Sequence, residues 1–185
     1  MYKLYKQSGF TLLELLVSIS VMVILMGVAA PSISQFLSKQ RVATQVQVIN
    51  SALSVARSEA INRSVNVFVC WNPTNANINV TLDGTARTIL VDELVVVAAG
   101  VTAGTSELVR NVNYSPDNLF VADDEADNCL SFDPQGRLAD FTTPSLIFGV
   151  CRASGDDSDS RSVTVTLAGR AAIEDNTGGT QIACS

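Results

Sequence analysis

Residues 15–38 carry no charged side chain over 24 consecutive positions, and most are Val, Ile, Leu, Met or Ala. As an α-helix such a run is about 36 Å long, enough for a hydrocarbon core of about 30 Å. Helices buried in water-soluble domains rarely go so far without a charge, so the run predicts insertion into a bilayer. Ahead of it, Met1 to Gly9 contain Lys3 and Lys6 and no acid, a short positive segment that favours the cytoplasmic side. The run lacks the small-residue exit of a secretory signal peptide. It continues through Phe36 and Leu37 into an amphipathic stretch.

That stretch, beyond Lys39 and Arg41, predicts helix to about Asn62. Val42, Val46, Ile49, Leu53, Ala56, Ala60 and Ile61 recur at spacings of three, four or one, with Gln45, Gln47, Asn50, Arg57 and Glu59 at other positions, so the apolar stripe is expected to face a sheet. The period then changes to two, with Val65, Val67 and Val69 on one face and Phe68 and Cys70 on the other. Further strands are predicted at 79–82, 88–97, 108–114, 119–121, 130–133, 145–150 and 162–167, separated by Gly, Pro, Asn and Asp. Asp133-Pro134-Gln135-Gly136 reads as a tight turn. With 185 residues, no repeat and no internal linker, one domain is expected. The fold class is α+β: a long N-terminal helix, transmembrane in its first half, packed against a β-rich, mainly antiparallel head.

Charge narrows the function. From residue 40 onward there are nine Arg and no Lys against seventeen Asp and Glu, a balance of −8. A field of that sign opposes general attraction to nucleic acid or anionic lipid. No histidine is present to act as a base, and no Ser or Cys has an evident activating partner, so catalysis is not expected. The acidic segments 123–127 and 156–159 lack the spacing of a calcium loop and read as solvated loops; no metal or other cofactor is expected. The four cysteines, Cys70, Cys129, Cys151 and Cys184, all follow the apolar run. Their even number suggests two disulfides, with three pairings open.

Two residues stand out in the apolar segment. Glu14 is flanked by Leu12, Leu13, Leu15 and Leu16, and an unpaired acid inside a membrane helix costs about 2.5–3.5 kcal/mol at the centre and less near the interface. Pro31 removes a backbone donor from otherwise helical sequence.

The segment Gly9-Phe10-Thr11-Leu12-Leu13-Glu14, between a basic leader and an unbroken apolar helix, resembles the leader junction of type IV pilins and type II secretion pseudopilins. The resemblance implies that prepilin peptidase cuts between Gly9 and Phe10 and methylates the new Phe10 amine. It divides the chain into a leader (1–9), a transmembrane and assembly helix (10–38), the amphipathic half of the stem helix (39–64) and an extracytoplasmic head (65–185). Phe10, Glu14 and Pro31 become assembly residues, with Glu14 paired to the N-terminal amine of a neighbouring subunit. A positive amine in a low-dielectric filament core would attract that carboxylate. Implied partners are prepilin peptidase, other major and minor pilins or pseudopilins, and an inner-membrane assembly platform. The implied location is the inner membrane of a Gram-negative cell, single-pass, with the head in the periplasm.

A second resemblance involves Ala56-Arg57-Ser58-Glu59-Ala60-Ile61-Asn62-Arg63, Leu130-Ser131-Phe132-Asp133-Pro134-Gln135-Gly136-Arg137 and Val163-Thr164-Val165-Thr166-Leu167-Ala168-Gly169-Arg170. These look like the minor pilin and pseudopilin group that includes the secretion-system H subunit and the FimT and FimU pilins. The implied role is a minor subunit that initiates or caps a type IV pilus, or the H-type minor pseudopilin of type II secretion. Some FimT-like pilins bind DNA through a Gly-Arg-x-Arg element. Here Gly169-Arg170-Ala171-Ala172 keeps only the first Arg and is followed by Glu174 and Asp175, so DNA is not the expected partner. If the strands beginning at Cys129 and ending at Cys151 are hairpin neighbours, their outer ends meet. The expected bridges are then Cys129–Cys151 and Cys70–Cys184.

Overall fold

The computed structural model describes residues 10–72, 77–82, 85–90, 93–100, 105–113, 120–122, 128–139, 145–151 and 160–175. The chain divides into two units, Met1–Ser38 and Lys39–Ser185. One helix, α1 (Leu12–Arg63), contributes to both. In the first unit it is apolar and uncovered: every described side chain from Phe10 to Leu37 is exposed. Among the described residues no single helix is long and apolar enough to cross a membrane. The pair Leu12–Gly27 and Ser32–Arg63 passes that test together by length and composition.

In the second unit the remainder of α1 precedes, among the described residues, eleven strands: β1 (Val67–Trp71), β2 (Ile78–Leu82), β3 (Thr85–Ile89), β4 (Glu93–Ala98), β5 (Glu107–Asn113), β6 (Phe120–Ala122), β7 (Cys129–Phe132), β8 (Leu138–Ala139), β9 (Ser145–Val150), β10 (Arg161–Thr166) and β11 (Ala171–Asp175). They form a five-stranded sheet in the order β5-β4-β1-β7-β8, a four-stranded sheet β11-β10-β9-β6 and the hairpin β2-β3. Each described pairing is antiparallel.

The stripe expected on the helix is buried except at its last member, Ile61, which is 47% exposed. Val42, Val46, Ile49, Leu53, Ala56 and Ala60 share one core with Val67, Val69, Trp71, Leu130 and Phe132 of the first sheet and Leu146, Phe148, Val163 and Val165 of the second. Each fully covered aliphatic or aromatic side chain contributes about 1.5–3 kcal/mol, so this core is the main force holding helix and sheets together. Trp71 of β1 meets Phe148 of β9 edge to face, with ring centroids 5.2 Å apart, so an aromatic pair links the two sheets. The alternation read in β1 also holds, and its second face is covered too. Cys70, Val95 and Val97 pack with Leu82 and Ile89 of the β2-β3 hairpin.

α1 ends one residue beyond the expected Asn62, at Arg63. Ser64 then adopts φ 55°, the left-handed conformation that closes many helices. The run expected at 88–97 is two strands, because Glu93 turns the chain. Its Oε2 accepts from the Leu90 N–H at 2.7 Å, and Asn111 Nδ2 donates to its Oε1. Asn72 reinforces the corner, donating from Nδ2 to the Ile89 carbonyl at 3.1 Å. These bonds explain how Glu93 and Asn72 are tolerated with almost no exposure.

The hairpin expected between the strands at Cys129 and Cys151 does not form. β7 pairs with β1 and β8, whereas β9 pairs with β10 and β6 in the other sheet. The turn after Phe132 leads instead into the two-residue strand β8, which sequence periodicity is too short to reveal.

Candidate functional site

The N-terminus of α1 is built by Thr11. Its Oγ1 accepts from the Glu14 N–H at 3.2 Å, and its carbonyl accepts from the same N–H at 3.1 Å. Thr11 is therefore the N-cap and Glu14 the third helical residue, the spacing of a capping box. Glu14 lies in the first turn, where the helix dipole favours a negative charge. Phe10 and Leu12 beside it are 77% and 81% exposed. Gly9 lies outside the described residues, as does the Pro31 side chain within α1. The Thr-x-x-Glu spacing of Thr11 and Glu14 is the sequence signal of this cap.

A second constellation joins the segments that carried the later resemblance. Asp133 N–H donates to the Arg137 carbonyl at 2.8 Å and Gly136 N–H to the Asp133 carbonyl at 2.8 Å. Thr166 N–H donates to the Arg170 carbonyl at 3.0 Å and Gly169 N–H to the Thr166 carbonyl at 2.7 Å. Both are three-residue hairpin loops closed by a glycine in the left-handed region, with φ 73° at Gly136 and 72° at Gly169. Arg57 of α1 reaches both. Its Nε donates to the Gly136 carbonyl at 3.0 Å and its Nη2 to the Ala168 carbonyl at 3.2 Å. Leu138 N–H donates to the Leu167 carbonyl at 3.0 Å, joining the two sheets at the same place.

A side chain on either glycine would collide with a neighbour. A Cβ on Gly169 would lie 1.9 Å from the Gly136 carbonyl oxygen, and one on Gly136 would lie 2.7 Å from Ile61 Cδ1. Asp133 organises its own loop, accepting at Oδ1 from the Gln135 and Arg137 N–H groups and at Oδ2 from Arg137 Nε. Burial pushes this carboxyl up, but the hydrogen bonds and charge of Arg137 outweigh it and hold Asp133 below its ordinary value.

Around the helix end, Arg63 pairs with Glu59 at 2.5 Å and with Glu107 of β5 at 2.7 Å. The hydrogen bonds to Glu107 and then Glu59 raise the Arg63 pKa further above its already high value. Arg57 and Glu59, two apart on the helix, make no pair, as their spacing implied.

The cysteines correct the expected pairing. Cys70 and Cys129 are directly opposed Cα partners on β1 and β7, with Cα atoms 4.0 Å apart, and are joined as a disulfide. Cys129–Cys151 and Cys70–Cys184 are thereby overturned. The hairpin assumed between β7 and β9 does not exist, whereas β1 lies beside β7. Cys151 is also disulfide-bonded; Cys184 lies outside the described residues.

Arg170, the weak nucleic-acid candidate, is exposed just after Gly169. The acids behind it belong to β11, a strand not expected from sequence, and Asp175 pairs with Arg161 at 3.3 Å. Among the described residues no group of three or more His, Cys, Asp or Glu could hold a metal ion. The acidic segments 123–127 and 156–159 lie outside them.

These features define a pilin-like subunit: an apolar helix whose second half is buried under a two-sheet antiparallel head. The family model described as Type II transport protein GspH matches residues 45–169, and that of the prokaryotic N-terminal methylation motif matches residues 4–30. The chain therefore belongs to the GspH family, whose members are structural subunits of a type II secretion system or a type IV pilus. No curated protein matches it significantly. Among solved structures it is similar to the type IV minor pilin FimU of Pseudomonas aeruginosa in two crystal forms. One has a TM-score of 0.52 and 17% identity, covering 77% of this chain and 99% of that one. The other has a TM-score of 0.55 and 17% identity, covering 81% and 99%. At that identity the likeness concerns the fold.

Proposed function

We propose that this chain is a non-enzymatic minor subunit that helps initiate or cap a type IV pilus filament. It is held by a single pass in the inner membrane of a Gram-negative cell, with its head in the periplasm. The observation that carries this reading is the contrast along α1. The described side chains from Phe10 to Leu37 are mostly apolar and all exposed, while the stripe from Val42 to Ala60 is spent on the head's own core. The uncovered half first meets lipid and then the equivalent helices of neighbouring subunits. Prepilin peptidase cuts after Gly9 and methylates Phe10. The new amine then sits one turn from Glu14, in the first turn of a capped helix.

Membership of the type II secretion filament, as its H-type minor pseudopilin, is the second reading, favoured by the family model over residues 45–169. DNA uptake has less behind it, since Arg170 is followed at once by a strand that ends in Glu174 and Asp175.

The test is processing and incorporation in cells. Replacing Gly9 with Val should leave uncleaved precursor in the membrane, and Glu14→Ala should be inserted and cleaved but depleted from filaments. Normal cleavage of the first variant, or full incorporation of the second, would count against the reading. Isolation of the filaments with their companion subunits separates pilus from secretion apparatus.

A further inference from the structure

The head carries a strong negative balance, yet one place on it gathers two arginines that meet no acid among the described residues. A cavity of about 250 Å³ opens between α1 and the β10-β11 hairpin, lined by Leu53, Ser54, Arg57, Ser58, Gly169, Arg170 and Ala171. Arg57 enters with only part of its donor capacity used, because Nε and Nη2 are bonded to backbone carbonyls and not to a carboxylate. Arg170 stands at the rim, exposed. Among the described residues neither guanidinium has an acidic partner, whereas Arg63, Arg137 and Arg161 each do. Ser54 and Ser58 donate their hydroxyls to the Asn50 and Ser54 carbonyls, so the side-chain donors left to an incoming acceptor are those of the two guanidinium groups. Leu53 and Ala171 supply the apolar part of the wall.

We propose that this cavity takes the carboxylate of an Asp or Glu side chain from a neighbouring pilin-like subunit, a proposal that rests on the filament reading above. One carboxylate fits the chemistry. It meets two guanidinium groups whose bonds to it would be charge-assisted, and the apolar wall covers the stem of the incoming side chain. A nucleic-acid backbone fits less well. It presents one charge about every 1.7 Å of duplex and would have to lay that row across Glu174, Asp175 and a head of net negative charge. The Gly136 and Gly169 turns fix Arg57 before the partner arrives, which lowers the ordering cost of binding.

The test uses the full-length chain in filament-forming cells, with a photo-crosslinking phenylalanine derivative at Ser58. The expected product joins it to a companion pilin-like subunit at a peptide containing Asp or Glu. Arg170→Glu should reduce that product about tenfold, and Arg in place of the mapped partner acid should restore it. Disulfide mapping of Cys70 to Cys129 verifies that the Arg170→Glu head is folded. A crosslink to an acid-free peptide, or one untouched by Arg170→Glu, overturns the proposal. So does Arg170-dependent, salt-sensitive binding of a 30-base-pair DNA duplex to the detergent-solubilised protein without the subunit crosslink. Filament incorporation is scored separately. If the charge-dependent crosslink forms in the membrane but the wild type never enters a filament, the filament reading fails and the site stands.

Discussion

Arg57 Nε donates to the Gly136 carbonyl at 3.0 Å across 79 residues of sequence, and the same guanidinium reaches Ala168 through Nη2. One helical side chain thus fastens a loop from each sheet to α1. Arg57→Ala should destabilise the head by about 2–3 kcal/mol, since two carbonyls lose a charged donor at a half-exposed site. Arg57→Lys should recover little of it, because an ammonium cannot span both acceptors. Urea unfolding of the detergent-solubilised protein measures both.

Gly169 and Gly136 share a backbone conformation but not an environment. Gly169→Ala should cost about 3 kcal/mol or more, because strain at φ 72° adds to a Cβ driven against the Gly136 backbone oxygen. Gly136→Ala should cost about 1–2 kcal/mol, since the side chain of Ile61 is able to move aside. Equal losses in thermal unfolding would contradict this ordering.

Asp133 makes the head's stability depend on acid. Its carboxyl titrates below the ordinary 3.8 when folded, so its contribution is complete above that value and is lost as pH falls through the lower folded one. The stability gap between wild type and Asp133→Asn should therefore be constant from pH 5 to 7 and narrow below about pH 4. A gap that widens on acidification would show the sign to be wrong.

Non-reducing peptide mapping should recover Cys70 joined to Cys129, with a sequence separation of 59. Cys70→Ser together with Cys129→Ser should cost about 4 kcal/mol on the loop-entropy model. Because Cys70 is buried on the face covered by the β2-β3 hairpin, reduction should also loosen that hairpin, detectable as faster amide exchange at Ile89.

The parts legible in sequence were those with a long or regular period. The helix along the apolar run, the stripe from Val42 to Ala60 and the alternation around Val67 are all present, and 145–150 is strand β9 to the residue. Pairing between distant strands was not legible. No local signal says that β7 lies beside β1 instead of β9, and the disulfide assignment failed with that choice. β8 is too short for periodicity to register, and the residues of β11 are mostly exposed, which removes the alternation that betrays a strand. In the sequence Arg57 reads as a polar residue of the amphipathic helix and as part of a resemblance. Its role depends on two Gly-Arg turns meeting in space, which neither turn encodes alone.

β1 is the first strand to follow α1, yet it occupies the middle of its sheet, with β4 on one side and β7 on the other. Its second edge stays open until Phe132 has been delivered, and its cysteine waits equally long for Cys129. Contacts so distant in sequence form late, because the loop between them must first be closed. A head fed through a translocation channel N-terminus first would therefore spend that interval unfolded beside its own anchor. Chaperones and thiol oxidants on the far side would act before any other subunit could dock.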